Sequence, residues 1–189
     1  MRALLRVLVV GAFVLALSEL SFAQTNITLN GVGGHLGYVM PEDPIENTIG
    51  FGAQADLGTI TESICLAAFL DFWSKSYDAG SMYGEAEWSW TEIVIGASAK
   101  YFFPSQSQFK PYAGGGLNFT IGRSKWEYTD YLGHKHEDSD SDTDIGAHIF
   151  GGVEYLLSPN LNGYAELKYH TDGADYFGIF AGVTYLLAK

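Results

Sequence analysis

The sequence predicts an all-β fold: an eight-stranded antiparallel up-and-down barrel that crosses a membrane. Three observations predict it. A short apolar N-terminal run carries the marks of a secretory signal. Eight later segments alternate residue by residue, each with one wholly apolar face. Their opposite faces are rich in glycine, small polar residues and charge. A soluble strand turns its polar face to water, where long polar or β-branched side chains are favoured. Glycine weakens an exposed strand but suits backbone packed in a tight space. The lumen of a narrow barrel is such a space, and lipid outside accounts for the apolar face.

The chain has 189 residues and opens Met1-Arg2-Ala3-Leu4-Leu5-Arg6, followed by an apolar run from Val7 to Leu17. Ser21-Phe22-Ala23 places small residues where a signal peptidase reads them. Cleavage after Ala23 is expected, giving a signal peptide over 1–23 and a barrel domain over 24–189. No later segment approaches the roughly 18 consecutive apolar residues of a spanning helix.

Strands are expected near 29–39, 48–57, 63–73, 88–103, 111–122, 144–157, 161–170 and 176–187. The fourth shows the pattern plainly. Ile93, Ile95, Ala97, Ala99, Tyr101 and Phe103 fall on one side, and Glu92, Val94, Gly96, Ser98 and Lys100 on the other. Short connections at 58–62, 104–110 and 158–160 alternate with longer ones at 40–47, 74–87 and 123–143. That is the rhythm of short periplasmic turns and long outer loops, and it places both termini in the periplasm. The loop at 171–175 is short and departs from it. Residues 127–142 are expected to form a mobile tip, because the acidic run has few apolar anchors. Aromatic residues stand where interfacial girdles belong, with Tyr101, Phe103, Tyr155 and Tyr185 at one end and Tyr38, Phe72, Tyr169 and Phe177 at the other.

The formal net charge is −12, which argues against a nucleic-acid partner, since that needs basic clusters. The single cysteine, Cys65, lies in an apolar strand and reads as a small buried hydrophobe.

From Leu29 onward the chain resembles the outer-membrane β-barrel family of the OmpA/OmpX type. Pro111-Tyr112-Ala113-Gly114-Gly115-Gly116-Leu117, Gly151-Gly152-Val153-Glu154-Tyr155, Tyr164-Ala165-Glu166-Leu167-Lys168-Tyr169 and Ala181-Gly182-Val183-Thr184-Tyr185 carry the resemblance. It implies an integral protein of the bacterial outer membrane, in contact with membrane lipid and lipopolysaccharide. It also implies insertion by the barrel-assembly machinery, and a monomer is expected. These motifs are specific for architecture and say little about activity.

The inward face carries a polar set: Asp71, Glu92, Lys100, His148, Glu154, Glu166 and Lys168. Isolated buried charge is very costly, so a network filling the lumen is expected, with Lys100 and Lys168 pairing with Glu92, Glu154 or Glu166. Phe69, Trp73, Phe102, Tyr112, Phe150, Tyr164 and Phe180 share the inward parity and fill the rest. No metal site and no cofactor are expected. His134-Lys135-His136-Glu137-Asp138-Ser139-Asp140-Ser141-Asp142-Thr143-Asp144 resembles a calcium loop, but Thr143 stands where an EF-hand needs glycine and Ile149 where it needs glutamate. Lipid A deacylases are also eight-stranded barrels and carry serine two residues after histidine. Here His170-Thr171-Asp172 puts aspartate there, so no nucleophile stands beside its base and no catalytic residue is assigned. The expected role is structural or surface-interacting, with acidic outer loops. A narrow pore and a lipid-modifying enzyme are the alternatives.

Overall fold

The structure is a computed structural model that describes residues 26–81, 84–129, 134–171 and 173–187. The signal segment 1–23, Tyr131, Asp172 and Ala188-Lys189 lie outside the described residues. Eight strands follow in chain order: β1 (Asn26–Pro41), β2 (Thr48–Thr61), β3 (Ile64–Ser81), β4 (Gly84–Phe102), β5 (Phe109–Thr129), β6 (Lys135–Ser158), β7 (Leu161–His170) and β8 (Tyr176–Leu186). Each is antiparallel to the next, and β8 returns to pair with β1 from Gly31↔Leu186 to Pro41↔Tyr176. Closure lets the sheet satisfy its backbone donors and acceptors internally, which hydrocarbon requires.

The two faces divide as the alternation predicts. Leu36, Ile49, Phe51, Ile95, Phe119, Ile149, Leu167 and Ile179 are among the large apolar side chains exposed on the outer surface. Asp71, Glu92, Lys100, His148, Glu166 and Lys168 are buried inside, together with Phe69, Trp73, Tyr112, Phe150, Tyr164 and Phe180. Inward glycines make room for them. A Cβ on Gly52 would press on both the His35 imidazole and the Asp71 carboxylate, and one on Gly37 or Gly178 would run into the Phe180 ring.

Strand length departs from the sequence reading. β7 and β8 have 10 and 11 residues, matching the 9–11 or so that span a bilayer when tilted. β3, β4, β5 and β6 have 18, 19, 21 and 24. β2 leaves β3 at Gly50↔Trp73, and β7 leaves β6 at His148↔His170. Beyond those rungs β3 to β6 pair only with one another, as a four-stranded sheet standing past the barrel mouth. Segments 74–87 and 123–143, expected as loops, are therefore mostly ladder. The expected mobile tip at 127–142 is paired as far as Thr129↔Lys135.

The reason is physical. The outward rung Phe72–Ile93–Ile121–Thr143 is apolar on β3 to β5, and the next outward rung, Ser74–Thr91–Arg123–Ser141, is polar throughout. The apolar outer face that lipid requires ends between them. Beyond that level the large aromatic residues are on the inner face. Tyr77, Trp88, Trp126 and Tyr128 share the inner parity, and Tyr77 stacks on Trp88 with ring centroids 5.1 Å apart.

Candidate functional site

Three layers of side chains occupy the barrel. The outermost is an apolar plug. Val39, Phe69, Trp73, Val94, Tyr176 and Phe180 pack together, and Ile45 reaches in from the β1–β2 loop to join them. That loop and the last one are tied across the mouth, where the Glu42 N–H donates to the Asp175 carbonyl at 2.8 Å. Glu92, expected to pair with lysine, lies instead beneath this lid. It accepts from the Trp90 indole at 3.1 Å and from the Ala174 N–H at 2.8 Å. Glu46 fastens the lid's rim, with its carboxylate 2.9 Å from the Lys75 ammonium and its N–H donating to the Tyr77 hydroxyl.

The middle layer is ionic. Asp71 is 2% exposed. One of its oxygens is 2.9 Å from His35 Nε2 and the other 3.3 Å from Lys168 Nζ. Lys168 also approaches Glu166 at 3.5 Å, and the other Glu166 oxygen accepts from the Tyr112 hydroxyl at 3.0 Å. The Tyr164 hydroxyl meets His35 Nδ1 at 2.9 Å. Phe69 and Phe180 place their rings 4.4 and 5.1 Å from the Lys168 ammonium. Both carboxylates thus meet cations or donors, which buried charge requires. Lys168 pairs with Glu166 as expected, while Asp71 is its nearer partner. The sequence does not single out His35, because one histidine among the glycines of β1 gives no signal until β3 brings Asp71 opposite it.

A second chain of hydrogen bonds runs beside this one. Ser98 Oγ is 2.9 Å from His148 Nε2, and His148 Nδ1 is 3.1 Å from Asn118 Oδ1. Asn118 Nδ2 donates onward to Thr120, so its Oδ1 is the acceptor for an Nδ1–H, and Nε2 accepts from Ser98. Hydroxyl, imidazole and amide stand in the order of nucleophile, base and orienting group, an arrangement that the sequence alone does not reveal. All three are buried at 7%, 2% and 1% exposure, and the backbone at Ser98 is paired on both sides, to Ala67 and Gly116. His170 stacks between His148 and Tyr176, with centroids 5.2 and 4.4 Å away.

The innermost layer is a chamber of about 310 Å³ at the opposite end, lined by Asp56, Cys65, Lys100, Lys110, Glu154 and Asn162 among others. The lumen, expected to be filled, is therefore plugged at the mouth that Ile45 closes and hollow at this end. Glu154 accepts from Asn162 at 2.7 Å. Lys100 is expected to bridge a carboxylate; its ammonium sits 4.2 Å from the Tyr112 ring centroid instead.

The segment 134–144 runs as extended strand from Lys135 onward, and His136 stacks on Tyr128 at 4.5 Å, so it does not wrap a cation as a calcium loop does. Among the described residues no group of three histidine, cysteine, aspartate or glutamate side chains converges on a metal position. On the outer face of the projecting sheet, Asp78, Glu87, Glu127 and Glu137 oppose one another along a single rung. Like charges so placed repel. Lys125 relieves them, reaching Glu127 and, at 3.2 Å, Glu137. Its ammonium holds the Glu127 carboxyl below its ordinary value of 4.5. The depressed pKa makes this a contribution present above about pH 4.5 and lost as pH falls through the folded value. Amide protection around Glu127↔Glu137, measured relative to the intrinsic exchange rate at each pH, is expected to fall on acidification below that point, and to hold or rise in a Lys125→Met variant, where protonation relieves the repulsion among the carboxylates. Equal acid sensitivity in both proteins would contradict it.

An apolar belt outside, paired charge within and a ring without edges define an integral membrane β-barrel. A family model described as the outer membrane protein beta-barrel domain matches residues 8–185, and the chain belongs to that family. It is a bacterial outer-membrane protein. Solved structures agree on the fold. Neisserial surface protein A is 24% identical, with a TM-score of 0.58 over 83% of this chain and 96% of that one. The outer membrane protein OprG of Pseudomonas aeruginosa is 12% identical, with a TM-score of 0.61 over 88% and 100%. A major outer membrane protein of Thermus thermophilus is 10% identical, with a TM-score of 0.55 over 83% and 99%. A sequence comparison with curated proteins gave no match.

Proposed function

We propose that this protein is a sealed membrane anchor that displays a four-stranded sheet for contact at the cell surface, with both termini in the periplasm. The observation that carries it is the combination at the mouth. The lumen is plugged by Ile45, Trp73 and Tyr176, while β3 to β6 continue past it. A channel needs an open mouth and an unfilled lumen. The ionic layer serves stability, and the Ser98–His148–Asn118 chain is structural. Ser98 does not line the chamber, and its backbone neighbourhood is committed to ladders on both sides, which leaves no amide aimed at an oxyanion. The barrel is monomeric, its belt meets lipid and its rim meets lipopolysaccharide, and the barrel-assembly machinery inserts it.

Planar-bilayer recording of the refolded protein tests the seal. No stable large conductance steps are expected from the native chain. An Ile45→Gly, Trp73→Ala variant is expected to admit small steps, because it thins the plug without touching Asp71 or Lys168. Reproducible porin-sized openings in the native protein would replace the anchor reading with the pore reading.

A further inference from the structure

We infer that the inner face of the projecting sheet is a docking surface for an extended cationic peptide segment, one with arginine or lysine at alternate positions. This rests on the display reading above and names its partner.

A single-layer sheet outside the membrane has no reason to expose aromatic rings unless something covers them. The lower part of the inner face is covered, since Trp88 and Trp90 pack against the plug that Ile45 completes. The upper part is not: Trp126 and Tyr128 are each 44% exposed. Tyr128 is held flat by stacking on His136, with an interplanar angle of 10°. The surface is therefore preformed.

Charge selects the occupant. Next to this aromatic column, β6 carries Asp138, Asp140 and Asp142 on the same face, all exposed. Opposite them across the ladder stand Trp126, Ser124 and Gly122, none of them basic. Arg123 and Lys125 have the other parity and serve the outer face, and Lys75 is engaged by Glu46. Alternate residues of a strand lie about 6.6–6.8 Å apart. A second extended chain repeats at the same distance, so cations at every other position meet successive aspartates. A guanidinium beside Trp126 gains both a carboxylate partner at Asp138 and a ring face. A polyanion meets only repulsion.

The test uses the full-length protein in nanodiscs of phosphatidylcholine, which carries no net charge to attract the probe. The probe is a fluorescein-labelled ten-residue peptide alternating arginine and threonine, followed by anisotropy. Saturable binding is expected, weakened at least tenfold by Asp138→Asn with Asp140→Asn, and at least tenfold by Trp126→Ala. A control peptide alternating glutamate and threonine is expected not to bind. Heat-modifiable gel mobility of each variant reports that the barrel is intact. Undiminished binding by the variants, tighter binding of a sulfated polysaccharide, or self-association of the chain through this face would overturn the proposal. Failure here with a silent planar bilayer defeats the partner chemistry alone. An open channel defeats the display reading itself.

Discussion

Asp71→Ala is expected to destabilise the folded barrel by about 3–5 kcal/mol, the range for removing one partner from a buried ion pair. The carboxylate stands between His35 at 2.9 Å and Lys168 at 3.3 Å, both inside the lumen. Without it, the Lys168 ammonium keeps, among the described residues, Glu166 and two ring faces. Urea unfolding in lipid vesicles, read by gel mobility, measures the loss. A triple variant, Asp71→Leu with Lys168→Met and Glu166→Gln, is expected to recover most of it, because it removes the cation together with both of its carboxylate partners and leaves no buried charge unpaired. If Asp71→Ala unfolds at the urea concentration of the native chain, the ionic layer does not hold the barrel. If the triple variant is as weak as the single one, packing volume rather than uncompensated charge is what the site supplies.

The second large effect belongs to the outer face. Ala97 is exposed, and its cross-strand neighbours are Ala68 and Leu117. Ala97→Arg is expected to cost about 2–4 kcal/mol of folding stability in a bilayer, the range for arginine near the midplane. One residue away, Ser98 is buried against His148. Ser98→Arg is expected to fail as well, but equally in detergent and in lipid, because it crowds the lumen. The ratio of lipid to detergent stability separates the two causes. A lipid-specific penalty at Ser98, or none at Ala97, would reverse the inside–outside assignment.

The ring, the strand order and the facing of β2, β4 and β8 are legible because lipid writes an unbroken apolar face. Ile93 to Phe103 and Phe177 to Leu187 say so residue by residue. The same signal fails above the membrane. Once Thr91, Arg123 and Ser141 face outward, strands with a polar outer face look like loops. The trace that remains is inverted alternation: Trp88 and Trp90, then Trp126 and Tyr128, each two residues apart. Those pairs mark strand continuation, although by themselves they pass for loop contacts. Six of the seven predicted polar lumen residues are buried, and Glu154 is half-buried at the chamber. Their partners are less legible. Pairing across a barrel depends on shear, which no single strand records. Parity alone therefore matches Glu92 to lysine, whereas it holds a loop, and Lys100 to a carboxylate, whereas it rests on Tyr112. His35, Asn118 and Ser98 become visible only once distant strands are opposed.

The free edge of β6 has a consequence for how many copies one patch of membrane can hold. Among the described residues, the stretch from Lys135 to Gly146 has β5 on one side and no strand on the other. Barrels confined to a plane meet edge-on, and an unpaired strand invites its neighbour to zip into a continuous ribbon. The carboxylates at Glu137, Asp138, Asp140 and Asp142 are spread over both faces of that edge. Two such edges brought together confront charge with like charge, whichever face is presented. The acidity of this strand thus opposes edge-to-edge pairing between neighbouring copies.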